Sequence, residues 1–492
     1  MRRIHRVLAG GGVGLALLVQ TGLATPAPPP SLEGYLQERV AHARLPGASL
    51  AVVEKDGAIR TIVTGLADLK ERRPVTPSTV YAIGSVTKSF TATAILQLRD
   101  RGLLNLDSPV QRYIPWFRLA DAETSQSITL RHLLSHTSGI PTSAHGVVWR
   151  DPERIRHSLT EGVQALSKVH PAHPPGARFT YSNMNYAVLG LVVEQVSGLS
   201  YPDYMRQKVF QPLGMRQSAA SVPELPDLDV ATPYGPSFGR LAEMDLSSGT
   251  YHGPSYLLFA SAPDLARYAA AHMAPGRILS APSLDEAHRG AVATGPGTTY
   301  GFGWVREEIA GETVIWHDGG SGHSAFVALM PERQEAVVLL TGAYSPESTT
   351  EIGKGLLHIL LGQEPPAPRH PRNTAMLLDL LLLILLLPGL ALLAVWAWVV
   401  WRRRPTRLSI RALGLRAALL TLVAGVSWGL ALFVPGHFGL PAPFGWFGYP
   451  PDLALTLATW LLASTLWALW AAESFFHHRR QLQKRHRRPG AL

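Results

Sequence analysis

Gly84-Ser85-Val86-Thr87-Lys88-Ser89-Phe90 leads into a run of apolar residues at helical spacing that continues through Leu98. A serine at the start of such a helix exposes its hydroxyl to a cleft. Its backbone N–H and the helix dipole both favour negative charge developing on an attacked carbonyl. Lys88, three residues on, lies on the same helical face. A serine hydroxyl is a poor nucleophile until a neighbouring base takes its proton, and a lysine serves only where burial or nearby positive charge depresses its pKa. Ser-x-x-Lys places both groups within one turn. The plainer alternative is a capping serine beside a solvated lysine. Of the seven lysines in the chain, Lys88 is the only one preceded by serine at this spacing.

Two further segments carry chemistry. Tyr181-Ser182-Asn183 follows the turn-like His173-Pro174-Pro175-Gly176 and precedes an apolar helix over Tyr186–Val196. A tyrosine beside a cation can act as a general base, and an asparagine amide can orient both the lysine and a substrate amide; the plain reading is a turn that caps the next helix. Trp316-His317-Asp318-Gly319-Gly320-Ser321-Gly322-His323 ends a strand-like run. Its glycines would let a backbone N–H approach a substrate closely as a second oxyanion donor, although alone it reads equally as a hairpin turn.

Around these segments the chain alternates in a definite order. A helical pattern over Leu36–Ala43 comes first, then strands Ala48–Val53 and Ile59–Leu66 about the Asp56-Gly57 turn, which make a hairpin. Helical stretches fill the middle (Ser89–Arg101, Leu130–Ser135, Asn185–Val196), and strands return at Gly301–Glu307, Thr313–His317, Ala325–Met330 and Glu335–Thr341. A helix near Glu351–Leu361 closes the domain. Strands at both ends with helices between them predict an α+β fold, an antiparallel sheet covered by helices, over residues 31–364.

The three motifs in this order resemble the serine β-lactamase/penicillin-binding-protein superfamily, in its class C and esterase-like branch. The resemblance extends to Leu130-Arg131-His132-Leu133-Leu134-Ser135-His136-Thr137-Ser138-Gly139-Ile140 and Tyr300-Gly301-Phe302-Gly303-Trp304. It implies a β-lactamase/transpeptidase-like fold with an all-helical subdomain. Ser85 would be the acylated nucleophile, Lys88 and Tyr181 the proton-transfer pair, and Asn183, His317 and Gly319 substrate-orienting positions. The oxyanion hole would be the N–H groups of Ser85 and Gly320. The family's third motif usually opens Lys-Thr-Gly, whereas this chain has His317-Asp318-Gly319. A permanent cation suited to a substrate carboxylate is thus replaced by a group whose charge follows pH, and Asp318 adds negative charge. Esterase or peptidase chemistry is therefore favoured over antibiotic hydrolysis.

The termini read differently. Residues 1–27 hold three basic residues and no acid, and residues 365–492 hold fourteen basic and three acidic residues. Positions 28–364 keep 28 basic against 32 acidic, so the globular part is near −4 although the chain as a whole is +10. Nucleic acid is not the partner this distribution suggests. Met-Arg-Arg-Ile-His-Arg, an apolar stretch and a Pro-rich end make residues 1–27 a signal peptide or N-terminal anchor. After a Pro-rich linker over 365–375 come apolar segments Met376–Trp401, Leu413–Val434 and Leu453–Phe476, each long enough to span a bilayer, and a basic tail over 477–492. Arg402, Arg403, Arg404 and Arg407 lie between the first two, while Pro435–Pro451 has no Lys or Arg. By the positive-inside bias the C-terminus is cytoplasmic and the catalytic domain extracytoplasmic, on a bacterial cytoplasmic membrane.

The absence of cysteine removes disulfides and thiolate chemistry. His132 and His136 have the i, i+4 spacing of zinc ligands, but no Glu follows His132, so structural roles and no metal or cofactor are expected. The functional expectation is acyl transfer to water on ester or amide bonds of envelope-related substrates, with the bilayer as the other partner. A non-turnover penicillin-binding receptor signalling through the spans, and a degenerate scaffold, are the competing readings. Oligomeric state and natural substrate are not legible.

Overall fold

The computed structural model describes residues 30–144, 158–237, 240–244, 253–368 and 465–466. The segment 1–27, nearly all of the three apolar spans and the tail 477–492 lie outside these. Among the described residues no helix is long and apolar enough to cross a membrane.

A nine-stranded sheet organises the domain. Its strands, in chain order, are β1 (Gly47–Val53), β2 (Ile59–Asp68), β3 (Arg73–Pro74), β4 (Val292–Gly295), β5 (Thr298–Tyr300), β6 (Val305–Ile309), β7 (Glu312–Ser321), β8 (His323–Met330) and β9 (Glu335–Thr341). Their spatial order is β3-β2-β1-β9-β8-β7-β6-β5-β4, antiparallel throughout. The N-terminal hairpin therefore joins the C-terminal strands at β1–β9, where Ala48 lies opposite Thr341 and Val53 opposite Ala336. This closure ties the two ends of the domain together around the helical middle, as the α+β reading expects.

Five helices matter for the site: α1 (Leu32–His42), α2 (Thr87–Asp100), α3 (Asn183–Ser197), α4 (Ala262–Met273) and α5 (Pro346–Leu360). Period-2 alternation divides the central strands between two cores. Ala51, Val53, Ala325, Val327 and Val338 pack with α2, α3 and α4, and Leu50, Val52, Phe326, Ala328 and Leu339 pack with α1 and α5. Because both faces are covered, β8 is buried along its whole length and its sequence is an unbroken apolar run from Ala325 to Met330.

The region between β3 and β4 is helical in the main but not wholly. Val80–Ala82, Phe259–Ser261 and Ser218–Ala219 form a three-stranded sheet, and Tyr234–Ser237 pairs with Arg240–Glu243. Strands of two to four residues are too short for periodicity to announce. The sequence places a strand at Gly301–Glu307, but its first part is a turn and pairing begins at Val305. Gly303 has φ +76°, and a Cβ there would lie 2.8 Å from the Lys88 carbonyl oxygen. The close approach of this turn to α2 explains the glycine and displaces the strand start.

The buried imidazole of His323 makes the domain acid-sensitive. Its Nδ1 accepts from the Ala82 N–H at 3.1 Å, its Nε2 lies 3.1 Å from the Ala231 carbonyl, and burial lowers its pKa to about 4. Below the ordinary value of about 6.5 the unfolded chain takes up a proton that the folded chain refuses. This contribution is present in full above that value and is lost as pH falls towards 4; it is on the order of 3 kcal/mol. The melting temperature should fall steeply between pH 6.5 and 4.5, and less steeply in His323→Gln. Parallel curves for the two chains would assign the acid sensitivity to other groups.

Candidate active site

Ser85 sits in a 3-10 turn, Gly84–Val86, and α2 begins only at Thr87. The turn is set by contact with β7. Gly84 has φ +53°, and a Cβ on it would come within 2.2 Å of the Gly320 nitrogen. A Cβ on Gly319 would meet the Ile83 carbonyl oxygen at 2.1 Å and the Ser85 nitrogen at 2.8 Å. Glycine at 84 and 319 thus lets two backbones lie closer than any side chain allows. The main-chain nitrogens of Ser85 and Gly320 are brought together at this contact.

Contrary to a turn reading of His317–Gly320, β7 continues in register with β8 from Ile315↔Leu329 to Ser321↔His323, and the chain reverses at Gly322, φ +69°. On its other side β7 pairs with β6 only as far as Trp316↔Val305. From His317 to Ser321 that edge is free of β6 and runs past Ser85.

The two candidate proton-transfer groups converge on one oxygen. Lys88 Nζ donates to Ser85 Oγ at 3.0 Å, and the Tyr181 hydroxyl donates to the same oxygen at 2.8 Å. Lys88 also donates to Asn183 Oδ1 at 2.8 Å and to the Ser255 carbonyl at 2.9 Å. It is 0% exposed, its nitrogen 4.7 Å from the centre of the Tyr181 ring. Three acceptors around one nitrogen favour the ammonium, but complete burial opposes it more strongly, and the Lys88 pKa lies well below the ordinary lysine value, with Asp318 pulling weakly the other way. Burial pushes the Tyr181 phenol upward, so it rests protonated.

The frame around this centre comes from two loops. His136, at φ +57°, accepts from the Thr180 N–H through its carbonyl at 2.8 Å and from the Ser182 N–H through Nδ1 at 3.3 Å, which holds both neighbours of Tyr181. Thr142 donates to the Tyr181 carbonyl at 2.6 Å. Asn183 opens α3, and Ser255 donates to its carbonyl at 2.6 Å. Sequence reasoning missed Ser255, which acts mainly through its carbonyl and so leaves no side-chain signature.

The structure brings together Ser85, Lys88, Tyr181, Asn183, Gly319 and Gly320, and sets His317 just behind them. The His317 imidazole is 3% exposed, lies 3.2 Å from the Tyr300 hydroxyl and 2.6 Å from the Asp318 carbonyl oxygen, and is held near pKa 4 by burial. It is neutral at physiological pH. His132 and His136 do not share a helical face, because the helix Leu130–Leu134 ends between them. His132 is engaged in a capping box with Thr129.

A family model described as Beta-lactamase matches residues 32–358. Penicillin-binding protein 4 of Amycolatopsis lactamdurans is 32% identical over 354 residues, covering 67% of this chain and 91% of the relative. Among solved structures, the octameric penicillin-binding protein homologue from Pyrococcus abyssi aligns with a TM-score of 0.60 at 30% identity, over 68% of this chain and 77% of that one. A D-stereospecific amidohydrolase from Streptomyces sp. aligns with a TM-score of 0.56 at 25% identity, over 65% and 97%.

Proposed function

The chain belongs to the β-lactamase family, within the serine β-lactamase/penicillin-binding-protein superfamily, and from that premise we propose that it is a membrane-anchored, extracytoplasmic serine hydrolase that cleaves ester or amide bonds of envelope-related substrates through an acyl-enzyme on Ser85. The observation that carries the reading is the double hydrogen bond to Ser85 Oγ from a buried Lys88 and a half-buried Tyr181. Ser85 Oγ attacks the substrate carbonyl, and its proton passes to the lysine amine, with the Tyr181 hydroxyl as relay. The carbonyl oxygen becomes an oxyanion between the N–H groups of Ser85 and Gly320. Collapse breaks the ester or amide bond, and the leaving oxygen or nitrogen takes a proton from the Tyr181 hydroxyl. Water then adds to the acyl carbon, gives its proton to the same pair, and frees Ser85.

Asn183 holds Lys88 in reach. The free edge of β7 offers main-chain groups to an extended substrate. The outward orientation is supported by the arginine distribution around the apolar segments, and envelope substrates follow from that orientation.

The test is time-resolved intact mass of the full-length chain after mixing with a β-lactam or an activated ester. The hydrolase reading expects an adduct that forms and then disappears with at least one reagent. An adduct that persists with both would replace hydrolase by receptor, and no adduct with either would remove Ser85 as nucleophile.

A further inference from the structure

We infer that the site selects esters and amides carrying a positively charged group, which seats against Asp318 and the ring of Tyr344 at the mouth of the cleft. The inference rests on the Ser85 hydrolase reading and adds the charge of the substrate to it.

Alternation along β7 sends His317 and Gly319 towards the Ser85 turn, and Asp318 and Gly320 to the face that carries α5. A Cβ on Gly320 would lie 2.8 Å from the Tyr344 ring, so that ring packs against β7 at Gly320, on the same face as Asp318. Asp318, two residues before Gly320 on the same face, accepts from the Thr350 hydroxyl at 3.2 Å. Its side chain is 40% exposed, and Tyr344 is 45% exposed, one of the few large apolar side chains left open to water among the described residues.

No cation among the described residues neutralises this carboxylate. The one basic group recorded within 4 Å is His317 Nδ1 at 3.9 Å, on an imidazole that burial keeps neutral. Lys354, one turn along α5 from Thr350, is committed to Glu307 at 2.6 Å and to the face of Trp316 at 4.5 Å. Lys88 is committed to Ser85, Asn183 and the Ser255 carbonyl. Asp318 is also the carboxylate whose field reaches Lys88, Tyr181 and Tyr344, and Glu347 adds a second negative charge beside Tyr344.

A half-exposed carboxylate next to an exposed aromatic face is the pairing that holds an ammonium, by charge on one side and by the ring quadrupole on the other. A substrate carboxylate at the same place meets like charge and is disfavoured. The open β7 edge leads a substrate chain from Ser85 past this corner.

The experiment compares kcat/KM of the full-length chain for p-nitrophenyl esters of trimethylammoniobutyrate, of its uncharged tert-butyl isostere and of glutarate. The cationic ester is expected to exceed the isostere by about fivefold, and the isostere to exceed the glutarate ester by a similar factor. In Asp318→Asn the first ratio should fall to about twofold or less, the share left to the Tyr344 ring, whatever happens to the absolute rates, and in Asp318→Lys the order should invert in favour of glutarate. Tyr344→Leu should reduce the cation preference without inverting it. If all three esters acylate Ser85 but the wild-type ratio is one, or Asp318→Lys leaves the order as it was, the charge inference is overturned and the hydrolase reading stands. If no ester acylates Ser85, the hydrolase reading fails and takes the inference with it.

Discussion

Replacing Ser85 by alanine should abolish the covalent adduct with every acylating reagent and lower turnover by about 10⁴-fold or more, while the domain remains folded. The substitution deletes one oxygen and leaves Lys88, Tyr181 and the paired N–H groups in place, so only background polarisation of a bound carbonyl survives. Lys88 loses one of three acceptors but keeps Asn183 and Ser255. The Tyr181 hydroxyl loses its acceptor, but that side chain is only half-buried, so stability should change little. Lys88→Met is the instructive comparison. It keeps the hydroxyl and its bond from Tyr181, so slow acylation should persist at a rate about 10² to 10⁴ below wild type. A stoichiometric adduct on Ser85→Ala, located by peptide mapping on another residue, would move the nucleophile elsewhere.

The contrast between those variants rests on a property that the amino-acid order conveys only in part. The spacing of Ser85 and Lys88 and the helical pattern through Leu98 locate the proposed nucleophile and its base. They cannot say that Lys88 is fully buried. A single cation on a periodic helix reads as solvated, and its burial depends on α3 and on the chain at Ser255, more than 90 and 160 residues away. The hairpin at Asp56-Gly57 and the strand Glu335–Thr341 are legible because alternation and turn chemistry agree locally. Their pairing across the domain, β1 against β9, follows from the architecture and has no local signal. The opposite case is His317–Ser321. Two successive glycines lower strand propensity and suggest a turn, yet the segment remains a strand because β8 holds its register and the Ser85 turn requires the glycines' missing side chains. A sequence reading likewise gives His317 a pH-dependent charge, which its burial removes. Motif spacing finds the side chains that converge on Ser85 Oγ, whereas burial and strand extent are decided by partners distant in the chain.

Gly319→Ala should be nearly as damaging to catalysis as loss of an oxyanion donor, although it adds one methyl group far smaller than any site residue. The new Cβ would stand 2.1 Å from the Ile83 carbonyl oxygen and 2.8 Å from the Ser85 nitrogen, both main-chain atoms that cannot rotate away. β7 cannot retreat easily, because Gly319 is paired with Ala325 inside a sheet covered on both faces. The Gly84–Val86 turn must therefore move, carrying the Ser85 amide away from the Gly320 amide and the hydroxyl out of line with Lys88. Acylation should slow by about 10² to 10³-fold, the measured scale for removing one oxyanion donor, and the chain should remain folded with a melting temperature lowered by several degrees. Gly320→Ala separates this mechanism from a general intolerance of the strand. Its Cβ would press on the Tyr344 ring edge at 2.8 Å, a side chain at the surface that can swing outward. That variant should lose less than about tenfold in acylation rate, since the displaced group is a mobile ring and not the nucleophile's backbone. Stopped-flow acylation by an activated ester reads both. If Gly320→Ala proves the worse of the two, then the seat of Tyr344, and not the contact between β7 and the Ser85 turn, governs the geometry of attack.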